Sequence, residues 1–165
     1  KNLVESKFNL FCSEEIAVVK TKNFIAKSLA KVNNEFHLET CEYRIKFTDS
    51  WFHVGKTNSL HETHIHGNCS WCGIYYVDIG DKGSGETTFR NPAYSTYLDA
   101  GNRWLDRTME ARINAENGLL VLFPSYLQHY QSIYTGKKDR IVVAFNAQIY
   151  SAESSSVRLQ RTKWS

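Results

Sequence analysis

Gly118-Leu119-Leu120-Val121-Leu122-Phe123-Pro124-Ser125-Tyr126-Leu127-Gln128-His129 reads as an apolar strand, a turn and a histidine. Eleven residues after His129 comes Arg140-Ile141-Val142-Val143-Ala144-Phe145-Asn146, a second apolar run headed by a cation. Short continuous apolar runs rich in branched residues and bounded by turn residues fit strands buried on both faces. Side chains alternate along a strand, so Arg140, Val142, Ala144 and Asn146 share one face. If that face is the inside of a barrel, Arg140 is a buried cation that needs an anion. A carboxylate fits a guanidinium best. The plainer reading is an exposed arginine at a strand start, beside Lys137, Lys138 and Asp139.

Upstream, the pattern is one helix followed by many strands. Ser13 can cap a helix whose first turn holds Glu14 and Glu15. Val18, Ile25, Leu29 and Val32 then recur at helical spacing among Lys20, Lys22, Lys27 and Lys31, which predicts an amphipathic helix over 14–32. Its expected role is to cover one face of a sheet. Tyr43, Ile45 and Phe47 alternate with polar residues, as in a half-buried strand. Residues 51–54, 73–78, 85–89, 119–123 and 140–148 also read as strands, separated by Gly, Asn, Asp and Ser. The order predicts a mainly β barrel or sandwich with an N-terminal helical buttress. An immunoglobulin-type sandwich lacks the required Cys and Trp spacing and leaves the histidines without a role.

Leu60-His61-Glu62-Thr63-His64-Ile65-His66 is the chemical centre of the sequence. In an extended strand Glu62, His64 and His66 point one way and Ile65 points to the core. Two imidazoles on one face can chelate a divalent metal, and His129 is the natural third ligand. A buried histidine is more commonly a hydrogen-bonded core residue, and H-x-H alone does not establish a metal site. His64, His66, Cys69 and Cys72 could instead hold zinc, but that leaves His129 and Arg140 without a role. Two free, partly buried thiols are the simpler account of the cysteines.

Composition narrows the class. The 165 residues are 42% hydrophobic and 22% charged, as in one globular domain, and the net charge is +3. Basic residues form no block beyond Lys137, Lys138 and Arg140, so charge does not point to nucleic acid. No apolar run approaches the ~20 residues that span a bilayer. Four cysteines and no secretory signal fit a reducing, cytoplasmic setting. The expected organisation is a single domain over 1–165, with a helical region at 1–41, the β core at 42–149 and a tail at 150–165.

The five segments His64-Ile65-His66, Gly73-Ile74-Tyr75-Tyr76-Val77, Gly85-Glu86-Thr87-Thr88-Phe89-Arg90-Asn91-Pro92, Gly118 to His129 and Arg140 to Asn146 together resemble the iron(II)- and 2-oxoglutarate-dependent oxygenases. The resemblance spans about residues 42–149. It is nearest to the prolyl-4-hydroxylase-like group, in a branch of small bacterial and phage proteins. It implies a double-stranded β-helix, a jelly-roll or cupin-like barrel. It also implies hydroxylation of a C–H bond coupled to conversion of 2-oxoglutarate and dioxygen to succinate. The substrate would be a small molecule or a peptidyl side chain. By the same resemblance, His64, His66 and His129 would hold iron, and Arg140 would hold the distal carboxylate of 2-oxoglutarate. Tyr76, or Tyr75 in another register, would assist Arg140, and Asn146 would face the site. Most of the family carries Asp or Glu where this chain has His66, so His66 or Glu62 would complete the ligand set. Apart from the resemblance, the length and aromatic, polar make-up of the loop at 91–106 predict that it borders the substrate entrance. Two other readings stay open: a cupin-type three-histidine dioxygenase that does not use 2-oxoglutarate, and a β-barrel binding module with a structural metal.

Overall fold

The computed structural model describes residues 2–36, 43–92 and 110–151. Strand β1 (Leu3–Glu5) and a short 3-10 turn (Leu10–Cys12) precede helix α1 (Ile16–Phe36). Strands β2 (Tyr43–Gly55), β3 (Ser59–His64), β4 (Trp71–Asp78), β5 (Thr87–Arg90), β6 (Glu110–Arg112), β7 (Leu120–Pro124), β8 (His129–Tyr134) and β9 (Arg140–Ser151) follow. They form two antiparallel sheets, ordered β1-β2-β9-β4-β7 and β3-β8-β5-β6. This is the expected double-stranded β-helix with one N-terminal helix.

The expected helix is present but begins later, at Ile16. Ser13 Oγ accepts the Glu15 N–H at 3.3 Å, so Glu14 and Glu15 belong to the turn before the helix. The region before residue 42 is not purely helical, because β1 pairs with β2. Alternation at 43–47 and the run at 51–54 belong to one strand, β2. A register shift between Phe47 and Asp49 interrupts their periodicity.

β9 lies at the centre of the larger sheet, between β2 and β4, and both its faces are covered, which is why it reads as continuously apolar. One of its faces carries Val143, Phe145 and Ala147 into a core with Phe11, Ile25 and Leu29, so α1 covers this outer face. The other face carries Arg140, Val142 and Ala144 into a cavity between the sheets. Phe145 stacks edge-on against Phe47 with centroids 5.4 Å apart. Its ring crosses over Gly73, where a Cβ would lie 2.3 Å from Phe145 Cζ. Glycine at 73 is therefore a packing requirement of the Phe145 core.

Phe145→Ala is expected to lower the unfolding free energy by about 3–5 kcal/mol. Gly73→Ala is expected to cost about 1–3 kcal/mol through overpacking. Urea unfolding of the metal-free protein measures both. Wild-type midpoints in both variants would show that this core is not where the larger sheet draws its stability.

Candidate active site

The smaller sheet places the polar residues in rungs. His64 on β3 pairs with His129 on β8, which pairs with Phe89 on β5. One rung further, His61 pairs with Gln131, which pairs with Thr87. The two rungs are two residues apart on β8, or roughly 6.8 Å. Arg140 enters from the first position of β9 in the facing sheet, and its Nη1 donates to Gln131 Oε1 at 2.9 Å. The cavity thus has a histidine end and a guanidinium end.

β3 stops at His64, and its pairing with β8 shifts register between His61 and His64. His61 and His64, three residues apart, therefore both line the cavity. His66 lies beyond the strand and also enters the cavity, whereas Ile65 is 56% exposed. Simple alternation placed Ile65 in the core, and the end of the ladder after His64 overturns that. Glu62 is exposed and lies outside the histidine cluster.

Ligand-atom positions in His64, His66 and His129 all lie within 4.8 Å of one another, a group that can hold a metal ion. His64 Nδ1 donates to the Glu62 carbonyl at 2.7 Å, and His129 Nδ1 donates to the Leu127 carbonyl at 2.9 Å. A carbonyl can only accept, so each ring carries its proton on Nδ1 and presents a lone pair on Nε2. His66 Nε2 faces His129 Nε2 at 3.3 Å. Two nitrogens about 2.1 Å from one metal and at right angles to each other lie roughly 3.0 Å apart, so the spacing suits a shared cation. The Asn146 side chain lies near enough to act on the His66 ring. It also donates to Asp49 Oδ2 at 3.2 Å and lies 3.4 Å from Cys72 Sγ. Trp51 stacks on His66, while Phe89 and Phe123 wall His129.

Burial, with the neighbouring imidazoles adding to it, holds His66 down to about 4. Burial likewise holds His129 and His61 at about 4. These rings are neutral at ordinary pH, the form that binds metal. Beyond His61, buried His53 Nε2 lies 2.8 Å from Glu5 Oε1 and 2.7 Å from Trp51 Nε1.

At the other end, Arg140 is 3% exposed, and among the described residues no carboxylate lies within ion-pair distance of it. Burial lowers its basicity, and only the Tyr76 and Tyr134 hydroxyls oppose that. Its guanidinium lies 5.4 Å from the Tyr76 ring centroid. The buried Tyr76 hydroxyl donates to Thr87 Oγ1 at 2.7 Å. Gln131 Nε2 is buried with no hydrogen-bond partner. A buried cation and an unsatisfied amide donor in one corner call for an anionic acceptor.

A family model described as a putative 2OG-Fe(II) oxygenase matches residues 49–146, more than half of the chain. The chain belongs to this family. The metal and cosubstrate of the family are iron(II) and 2-oxoglutarate, and the two ends of the cavity fit them. No curated protein matches the sequence of this oxygenase-family chain. Its fold is similar to that of a viral collagen prolyl hydroxylase from Paramecium Bursaria Chlorella virus-1, at 14% identity and TM-score 0.57, covering 88% of this chain and 79% of that one. It is similar to the non-heme alpha ketoglutarate dependent epimerase SnoN from nogalamycin biosynthesis, at 11% identity and TM-score 0.63, covering 99% and 70%. It is also similar to a 2OG-Fe(II) oxygenase family oxidoreductase from Burkholderia pseudomallei, at 9% identity and TM-score 0.51. That match covers 67% of this chain and 47% of the Burkholderia protein, so the chain spans about half its length.

The structure thus brings His64, His66, His129 and Arg140 to one cavity, with Tyr76 packed beneath Arg140 and Asn146 behind His66. Tyr75 packs against the outer core instead. His53, His61, Thr87 and Gln131 also line the cavity, and the sequence reading did not single them out. Gln131 was within reach of it: two residues past His129, it shares that residue's face once a strand is continued there. His53 and His61 carry no such signal, because the register shift decides which way His61 turns. Most of the loop at 91–106 lies outside the described residues. Among the described residues, no helix is long and apolar enough to cross a membrane.

The depressed imidazoles make stability pH-dependent. Unfolded histidines take up protons near pH 6.5, while His61, His66 and His129 in the folded chain stay neutral until about pH 4. Protons therefore favour the unfolded state within that window. The Tm of the metal-free protein is expected to fall as pH drops from 6.5 towards 4, with a shallower fall in His61→Ala. A Tm that rises over this range would contradict the burial of these rings.

Proposed function

We propose that this chain is an iron(II)- and 2-oxoglutarate-dependent hydroxylase in which His64, His66 and His129 hold the metal. Arg140 and Gln131 bind the distal carboxylate of 2-oxoglutarate. Tyr76 positions Arg140 from below and fixes Thr87 beside the same corner. The observation that carries this reading is the buried, uncompensated Arg140 in the same cavity as three convergent imidazoles. The roughly 6.8 Å between the two rungs of β8 suits a five-carbon diacid that reaches from metal to guanidinium.

Bound iron with its cosubstrate supplies the oxidising chemistry for an unactivated C–H bond. The chain's own residues do the rest. Backbone carbonyls at Glu62 and Leu127 lock the tautomers of His64 and His129, so both Nε2 atoms are ready for the metal. The Asn146 amide orients His66, and its contact with Asp49 places negative charge behind a ligand set that lacks a carboxylate. Phe89, Phe123, Val142 and Ala144 provide an apolar wall that limits water near the reacting groups. The substrate class is open between a small molecule and a peptidyl side chain. The fold neighbours include a prolyl hydroxylase and an epimerase, so the fold alone does not choose the reaction.

Anaerobic addition of iron(II) and 2-oxoglutarate together is expected to give a weak visible charge-transfer band that neither gives alone. His64→Ala and His129→Ala are expected to abolish it. Absence of the band from the wild-type protein, with no succinate formed under air, would refute the proposal.

Arg140→Ala is expected to weaken 2-oxoglutarate binding about 100-fold, or roughly 2.7 kcal/mol, by removing a buried charge-assisted contact. A titration of the same band measures this. Unchanged 2-oxoglutarate affinity with retained metal binding would favour the cupin-type three-histidine reading.

A further inference from the structure

Cys69 and Cys72 have no part in the chemistry above, yet they lie directly behind it. They flank Ser70 and Trp71 where the chain turns from the histidines into β4. Ser125 Oγ donates to the Cys69 carbonyl at 2.7 Å and pins that turn to the end of β7. Cys72 is 1% exposed and lines the cavity, whereas Cys69 is half-buried. Both are free thiols, and their Sγ atoms lie 3.6 Å apart. Cys72 Sγ also donates to Asn146 Oδ1 at 3.4 Å. The same amide donates to Asp49 Oδ2 and acts on the neighbouring His66 ring. A single side chain therefore joins the thiol pair to a triad imidazole.

We propose that Cys69 and Cys72 are an oxidisable dithiol whose disulfide withdraws support from His66. The oxidant is a peroxide, and the link to His66 rests on the triad reading given above. The sulfurs need to approach by only about 1.6 Å to reach bonding distance. Cys69 is the more accessible and reacts first: an S–O bond forms, the peroxide O–O bond breaks, and water leaves. Cys72 Sγ then attacks the Cys69 sulfur. The S–S bond forms, the S–O bond breaks, and the Cys72 proton leaves with the hydroxide as a second water. Two thiols and one hydrogen peroxide become one disulfide and two waters. Cys72 then no longer donates to Asn146 Oδ1, and the amide keeps only its bond to Asp49 to fix its orientation.

The test uses the full chain with the other two cysteines replaced (C12S/C41S), metal-free, and treated with hydrogen peroxide. Intact mass is expected to fall by two hydrogens, and both thiols should vanish from a denatured thiol assay. Dithiothreitol should restore them. In the same background, C72S is expected to stop at a sulfenic acid that dimedone traps. Thiols that survive, or oxygen added without loss of the two hydrogens, would overturn the dithiol.

Cobalt(II) titration of the oxidised and reduced forms reads the coupling. Oxidation is expected to weaken cobalt(II) binding about tenfold, as loss of support behind a metal ligand does. Reduction, with the reductant removed before titration, should restore it. Equal affinity in the two forms would overturn the link to His66. Failure of the reduced form to bind cobalt(II) would overturn the triad reading on which the link rests, and the mass result would still decide the dithiol.

Discussion

A guanidinium taken out of water must find compensation, and Arg140 finds none in a carboxylate among the described residues. Much of the cavity is arranged around that charge. Gln131 turns its carbonyl towards it, the Tyr76 ring lies beneath it, and the amide of Gln131 is left facing the same space. The centre of the larger sheet delivers the cation and the smaller sheet delivers its neighbours, so the corner exists only when the two sheets face each other. An anion at this point would both satisfy the arginine and bridge the layers.

The histidine end follows a different logic. There burial keeps His66 and His129 neutral, and carbonyls two residues upstream orient His64 and His129. Three imidazoles bring no negative charge to a divalent ion, whereas two imidazoles and a carboxylate bring one. On the proposed reading, the deficit is partly met at a distance, through Asp49 and Asn146 behind His66. The route is longer than direct ligation, so the ring at 66 is the ligand most exposed to what happens around it.

Much of this was legible in the residues. The β9 run reads as a doubly buried strand because it is one, with α1 on one face and the cavity on the other. Ile25 and Leu29 announced the covered face of the helix by their spacing. What escaped was set by irregularity. The shift between His61 and His64 and the end of the ladder after His64 place His61 inside and Ile65 outside, and period-two reasoning has no access to either. β1 and β6 are three residues each, too short to show a period at all. Asn146 was placed on the cavity side by alternation, but only side-chain contacts revealed that it stands behind His66.

The position of β9 also has a consequence in time. Its hydrogen-bonding partners, β2 and β4, are made long before it, and they are not paired with each other. On the ribosome they wait with open edges until residues 140–151 emerge, and every contact across that gap is of long sequence separation. Such topologies fold slowly and leave strand edges exposed meanwhile. The finished barrel buries both edges, but the order of synthesis leaves those of β2 and β4 that face β9 open until the last strand is made.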